Sequence, residues 1–210
     1  MYAKRISNLH YITSDIHLLD SLLTNGLNWV QLRIKDANKK VIVQEAAKVV
    51  ALCKQYGATC IINDHPEIAL EVGAHGVHLG LTDMRVSAAR KMLGDQAIIG
   101  GTCNTPLDIL YQYEEGADYV GVGPYRFTET KKNLSPILGL DGYQRCVDFC
   151  QKNNVDIPMI AIGGIVPTDV PALITMGIHG VAVSSVIQKN YQPLEILEQF
   201  HSSLNPLNVR

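Results

Sequence analysis

Arg33 and Lys35 lie two residues apart in the run Trp29-Val30-Gln31-Leu32-Arg33-Ile34-Lys35. Read as a strand, that run places Gln31, Arg33 and Lys35 on one face and Val30, Leu32 and Ile34 on the other. Later strand-like runs repeat the pattern, with an apolar row on one face and Gly, His or Asn on the other. The polar face is therefore expected to look into a closed barrel. Two unpaired cations there would cost several kcal/mol each, so an anionic, hydrogen-bonding ligand is expected to complete the strand.

Two carboxylates follow. Asp64 ends Ile61-Ile62-Asn63-Asp64, and Asp83 stands three residues after His78-Leu79-Gly80. If these runs are neighbouring strands, both aspartates reach one rim. A surface ion-pair network would explain them and would contribute little. The sharper reading is a Mg²⁺ site, because Mg²⁺ takes one or two protein carboxylates and fills its shell with water and phosphate oxygens.

Other strand ends carry anion-binding groups. Gly123 leads into a loop with Thr128, Thr130, Lys131 and Lys132, a suitable oxyanion cradle, although most basic loops are merely solvated. Gly163-Gly164 and Ser184-Ser185 end two later strands, where barrels often bind phosphate through backbone N–H groups. His78 faces inward by parity and reads as a core histidine bonded to a neighbouring strand rather than as a general base. No Ser-His-Asp or Cys-His arrangement can be argued.

The elements that must position these groups alternate. Strands are expected over 9–13, 29–35, 59–63, 76–80, 97–101, 119–123, 159–162 and 180–184. Helical patterns occupy 41–56, 87–93, 106–115, 142–152, 168–176 and 193–200, with Asn38 as a cap and Gly57 as a stop for the first of these. Eight such units predict an α/β fold, a single (β/α)₈ TIM barrel over residues 1–210. A doubly wound open sheet would require Gly-x-Gly-x-x-Gly after the first strand, and Thr13-Ser14-Asp15-Ile16 offers none.

Composition sets the remaining bounds. Of 210 residues, 47% are hydrophobic and 18% charged, which describes a globular chain without disordered bias. A net charge of −2 argues against nucleic-acid partners, so phosphate chemistry must come from local cations. The five cysteines, Cys53, Cys60, Cys103, Cys146 and Cys150, form no CxxC pair and read as reduced thiols of a cytoplasmic protein. No apolar run is long enough to span a membrane. A homo-oligomer is compatible with all of this.

These residues resemble the thiamine phosphate synthase (thiamine-phosphate pyrophosphorylase) family over nearly the full length. The segments that carry the resemblance are Gln-Leu-Arg-Ile-Lys at 31–35, Ile-Asn-Asp at 62–64 and Gly-Val-His-Leu-Gly-Leu-Thr-Asp-Met at 76–84. Ile-Gly-Gly-Thr at 99–102, Gly-Val-Gly-Pro with Thr-Glu-Thr-Lys within 121–131, and Ala-Ile-Gly-Gly-Ile at 161–165 continue it. The resemblance implies a transferase that joins two small molecules, hydroxymethylpyrimidine diphosphate and a thiazole phosphate, often as its carboxylate. It implies that Gln31, Arg33, Lys35, Asn63, Thr102 and Lys131 bind the pyrimidine diphosphate. Asp64 and Asp83 would ligate Mg²⁺, while Thr128, Thr130, Gly164, Ser184 and Ser185 would hold the thiazole phosphate. Arg33, Lys35, Lys131 and Thr102 would act on the departing diphosphate.

Three positions depart from the family pattern. Thr102 replaces a common Ser, Asn104 stands where His is frequent, and Leu81-Thr82 replaces Gln-Glu before Asp83. Two alternatives stay open, a thiazole tautomerase of the same barrel family and a non-catalytic barrel that binds phosphate ligands. The tautomerase needs a positioned acid/base such as the missing His at 104.

Overall fold

The computed structural model describes residues 4–127 and 136–205. Eight parallel strands close in the order β1 to β8: β1 Leu9–Thr13, β2 Trp29–Leu32, β3 Thr59–Asn63, β4 Gly76–Leu79, β5 Ile98–Cys103, β6 Tyr119–Val122, β7 Met159–Ile162 and β8 Gly180–Val183. Pairing of β1 with β8, Tyr11 opposite Val183, completes the ring. The expected (β/α)₈ barrel is the observed one.

Side-chain parity sorts each strand. Outward residues such as Val30, Cys60, Val77, Ile99, Val120 and Val181 join a continuous apolar layer beneath the helices. Inward residues form a second, smaller cluster of Trp29, Ile61, Ile98, Tyr119, Ile160 and Ala182 that fills the lumen. The barrel is thus a packed core, with open chemistry only at its ends.

The helices are α1 Leu19–Thr24, α2 Lys39–Tyr56, α3 Pro66–Val72, α4 Val86–Leu93, α5 Pro106–Glu114, α6 Gly139–Lys152, α7 Val170–Met176, α8 Ser185–Gln188 and α9 Pro193–Leu204. As expected, the Asn38 side chain caps α2 by accepting from the Val41 N–H, and Gly57 ends it at φ 66°. The short helices α1, α3 and α8, of six, seven and four residues, are too brief for a helical period to show in the sequence. A 3₁₀ turn, Pro167–Asp169, precedes α7 and occupies the start of the expected 168–176 helix.

Two strand boundaries move in ways that matter. β2 stops at Leu32, with one further ladder bond from Arg33 N–H to Thr13 O, so Lys35 lies beyond the strand and exposed. The row from Gln31 to Lys35 therefore climbs out of the lumen: Gln31 buried, Arg33 half-buried, Lys35 exposed. The expected cost of two enclosed cations is corrected to partial desolvation of one. β5 instead runs on to Cys103 and holds Thr102 within the sheet, opposite Gly121.

The N-terminal mouth is closed by ion pairs. Asp118, just before β6, accepts from Lys4 Nζ at 2.9 Å, from Arg90 Nη2 at 2.6 Å and from the Ile99 N–H at 2.7 Å. Lys4 also donates to the Ala97 carbonyl. All five cysteines are free and buried, in keeping with reduced thiols. No helix among the described residues is long and apolar enough to cross a membrane.

Candidate active site at the C-terminal rim

At the opposite mouth, β2, β3 and β4 bring the expected groups together. β3 pairs with β4 so that Asn63 lies opposite His78, and the next residue, Asp64, donates its N–H to the His78 carbonyl. Asp64 takes φ 65°, a left-handed conformation uncommon outside glycine and best tolerated by Asn and Asp. Asp83 Oδ2 accepts from the Gly80 N–H at 2.7 Å, which fixes its carboxylate at the end of β4.

The two carboxyls adjoin each other at the rim. Burial of its inner side and the adjoining Asp83 carboxyl push Asp64 up to about 6, against the opposing pull of Arg33. Burial in turn draws the Arg33 guanidinium down from its ordinary value, and Asp64 partly offsets that. Among the described residues Arg33 makes no ion pair. Two carboxylates that crowd each other, open to solvent on one side, form a hard oxygen donor set suited to a divalent cation such as Mg²⁺. No group of three or more His, Cys, Asp or Glu among the described residues makes a closed protein cage for a metal.

Below them, Gln31 Nε2 donates to Asn63 Oδ1 at 2.8 Å, and both residues are buried. His78, opposite Asn63 and only partly buried, has Nε2 3.1 Å from Thr102 Oγ1 and Nδ1 3.1 Å from the Tyr119 hydroxyl. It is a core histidine bonded to β5 and β6, as expected, and burial pulls it down to about 4. His65 pairs with Glu67 through Nδ1 at 3.3 Å, and the Asn104 amide donates to the Gly123 carbonyl.

Gly164 and Ser184 stand two residues beyond the Ile162–Ala182 pair on β7 and β8, hence side by side at the same rim. Gly163 and Gly164 both have positive φ, 105° and 68°. A Cβ on Gly164 would meet Arg126 Cγ at 2.5 Å and the Phe127 carbonyl oxygen at 3.1 Å, so only glycine fits. The Ser184 and Ser185 hydroxyls have no hydrogen-bond partner among the described residues and can accept an anion's company. Lys35 reaches the rim from the β2 side and is exposed. Thr128, Thr130 and Lys131, with the oxyanion cradle expected around them, lie outside the described residues.

One contact at this rim has no signal in the sequence. Arg126 Nη1 donates to the Gly164 carbonyl at 2.8 Å, Nη2 pairs with Asp169 at 2.7 Å, and the guanidinium carbon lies 4.8 Å from the Tyr125 ring centroid. Arg126 therefore ties the loop after β6 to the glycine turn after β7. In sequence it is one cation in a basic loop, and nothing marks it as a clamp.

Comparison with known proteins follows the same outline. A family model described as thiamine monophosphate synthase matches residues 6–187. A thiamine-phosphate synthase of Phocaeicola vulgatus is 46% identical over 172 residues, 82% of this chain and 83% of that protein. One from Flavobacterium johnsoniae is 41% identical over 199 residues, covering 95% of this chain and 94% of the relative. Among solved structures, a thiamine phosphate pyrophosphorylase from Pyrococcus furiosus superposes with a TM-score of 0.83 at 26% identity, over 96% of each chain.

Proposed function

The chain belongs to the thiamine monophosphate synthase family, and from that premise we propose that it joins hydroxymethylpyrimidine diphosphate to a thiazole phosphate, releasing diphosphate and forming thiamine phosphate. The observation that carries this reading is the convergence of Arg33, Asp64 and Asp83 at one rim, beside the buried Gln31–Asn63 pair.

The reaction needs no protein nucleophile. Breaking the C–O bond to diphosphate leaves a pyrimidine methylene cation that its electron-rich ring stabilises, and the thiazole nitrogen then attacks it. Arg33, Lys35 and Lys131 offset the charge growing on the leaving oxygens, a preorganised electrostatic role. The Asn63 amide and the Thr102 hydroxyl add hydrogen bonds to the same group. Gly164, Ser184 and Ser185, with Thr128 and Thr130, hold the thiazole phosphate across the rim. Asp64 and Asp83 would hold Mg²⁺, which when bound supplies further neutralisation of the diphosphate. Exclusion of water by the loop over 128–132 would suppress hydrolysis of the cation.

One assay tests the reading. Both precursors are incubated with the chain, with and without Mg²⁺, and thiamine phosphate and free diphosphate are measured. Coupling that depends on Mg²⁺ is the expected result. Tautomerised thiazole without coupling would identify the tautomerase instead, and no conversion would leave a binding barrel.

A further inference from the structure

Three side chains run from the packed lumen toward the rim: Tyr119, His78 and Thr102, joined by two contacts of 3.1 Å. We propose that Tyr119 and His78 form a one-directional hydrogen-bond relay that fixes the Thr102 hydroxyl as a donor to the departing diphosphate. Both are then positioning residues for the reaction. The proposal rests on the placement of Thr102 at the pyrimidine diphosphate.

The direction follows from satisfaction of buried polar groups. Tyr119 is 1% exposed, and His78 is its only hydrogen-bond partner among the described residues. Its other ring neighbours, Trp29 and His10, pack against it at right angles. A buried phenol O–H without an acceptor is costly, so Tyr119 donates to His78 Nδ1. That assignment makes Nδ1 the acceptor nitrogen and places the ring proton on Nε2. Nε2–H then donates to Thr102 Oγ1 and occupies one of its lone pairs.

The Thr102 hydrogen must consequently point away from His78. Thr102 is half-buried at the rim end of β5 and has no other partner among the described residues. A polyanion at the rim is the acceptor that completes it. The opposite polarity would orphan the Tyr119 donor and turn the Thr102 hydrogen back toward His78, leaving only lone pairs facing phosphate oxygens.

Space for the relay is built into the sheet. A Cβ on Gly100 would lie 2.2 Å from Tyr119 Cζ and 2.6 Å from His78 Nδ1, and one on Gly121 would lie 3.1 Å from His78 Cε1. Glycine at both inward positions leaves room for the imidazole, and neither residue has the positive φ that would otherwise call for it.

Two measurements on the full chain test this. Two-bond ¹H–¹⁵N spectra of histidine-labelled protein should show His78 as the Nε2–H tautomer, with its Nδ1 resonance moving in Tyr119→Phe as the phenol bond is lost. In the coupling assay, Thr102→Val and Tyr119→Phe should each lower kcat, by roughly tenfold for the former, the scale of one hydrogen bond to a charged group. Tyr119→Phe should have little further effect in the Thr102→Val background, and the KM for thiazole phosphate should hold in all three. An Nδ1–H tautomer, or losses that multiply, would overturn the relay while Thr102 keeps its place. Unchanged turnover in Thr102→Val would overturn that placement, and the relay's purpose with it.

Discussion

Gln31 and Asn63 are locked together across β2 and β3, the amide nitrogen of the first donating to the amide oxygen of the second at 2.8 Å. The bond leaves the Asn63 Nδ2 hydrogens without a partner among the described residues. Asn63 thereby presents a donor, not an acceptor, to whatever binds above it.

Asn63→Asp would convert that donor into a carboxylate next to Asp64. The expected outcome is a fall in kcat/KM for the pyrimidine diphosphate of about a hundredfold, roughly 2.7 kcal/mol of transition-state stabilisation. Steady-state kinetics with each precursor varied in turn would check it.

Asp64→Asn separates function from stability. Asn tolerates the left-handed backbone at this position, and the substitution removes one of two crowded carboxyls. Coupling should drop by about a hundredfold or more and lose its response to Mg²⁺. The thermal midpoint measured without divalent cations at pH 7.5 should be unchanged or higher. A large loss of thermal stability would recast Asp64 as a structural residue.

Replacing Arg33 by Ala should slow turnover far more than it loosens the fold, since the guanidinium makes no ion pair among the described residues. Kinetics and urea unfolding of the same preparation would show the contrast. Unchanged turnover would remove Arg33 from the mechanism.

His10 gives the fold an acid limit. Its ring stacks on Trp29 at a centroid distance of 4.2 Å, and burial lowers it from 6.5 to about 3, despite a bond to the Ser7 carbonyl. Between those values the unfolded chain binds a proton that the folded chain refuses, so stability falls as pH drops through the window. At pH 5 this amounts to roughly 2 kcal/mol relative to pH 7.5. His10→Phe keeps an aromatic ring against Trp29 and should lose about that much less on acidification. Urea midpoints at the two pH values would measure it, and equal losses in both proteins would contradict the assignment.

Much of this was readable in the chain because parity carries through a parallel strand. Gln31, Arg33 and Asn63 alternate with Val30, Leu32 and Ile62, which sends them to the lumen and rim, and Asp64 and Asp83 follow just past the ends of β3 and β4. Where β2 ends was not readable, since Ile34 continues the apolar pattern after the ladder has stopped. Helix α1 is six residues long and has no side-chain cap, so it lacks both the length and the start signal of α2. Tyr119 resembles any buried aromatic until His78 is seen beside it. Arg126 acts through a carbonyl on a distant turn, a relationship that no local spacing encodes.

Asp118 gathers Lys4, Arg90 and the Ile99 amide at the end of the barrel farthest from Asp64 and Asp83. This ion-pair cluster shares no residue with the proposed chemistry at the opposite mouth. Substitutions around Asp118 should therefore alter the base of the barrel while leaving the proposed chemistry at its crown in place.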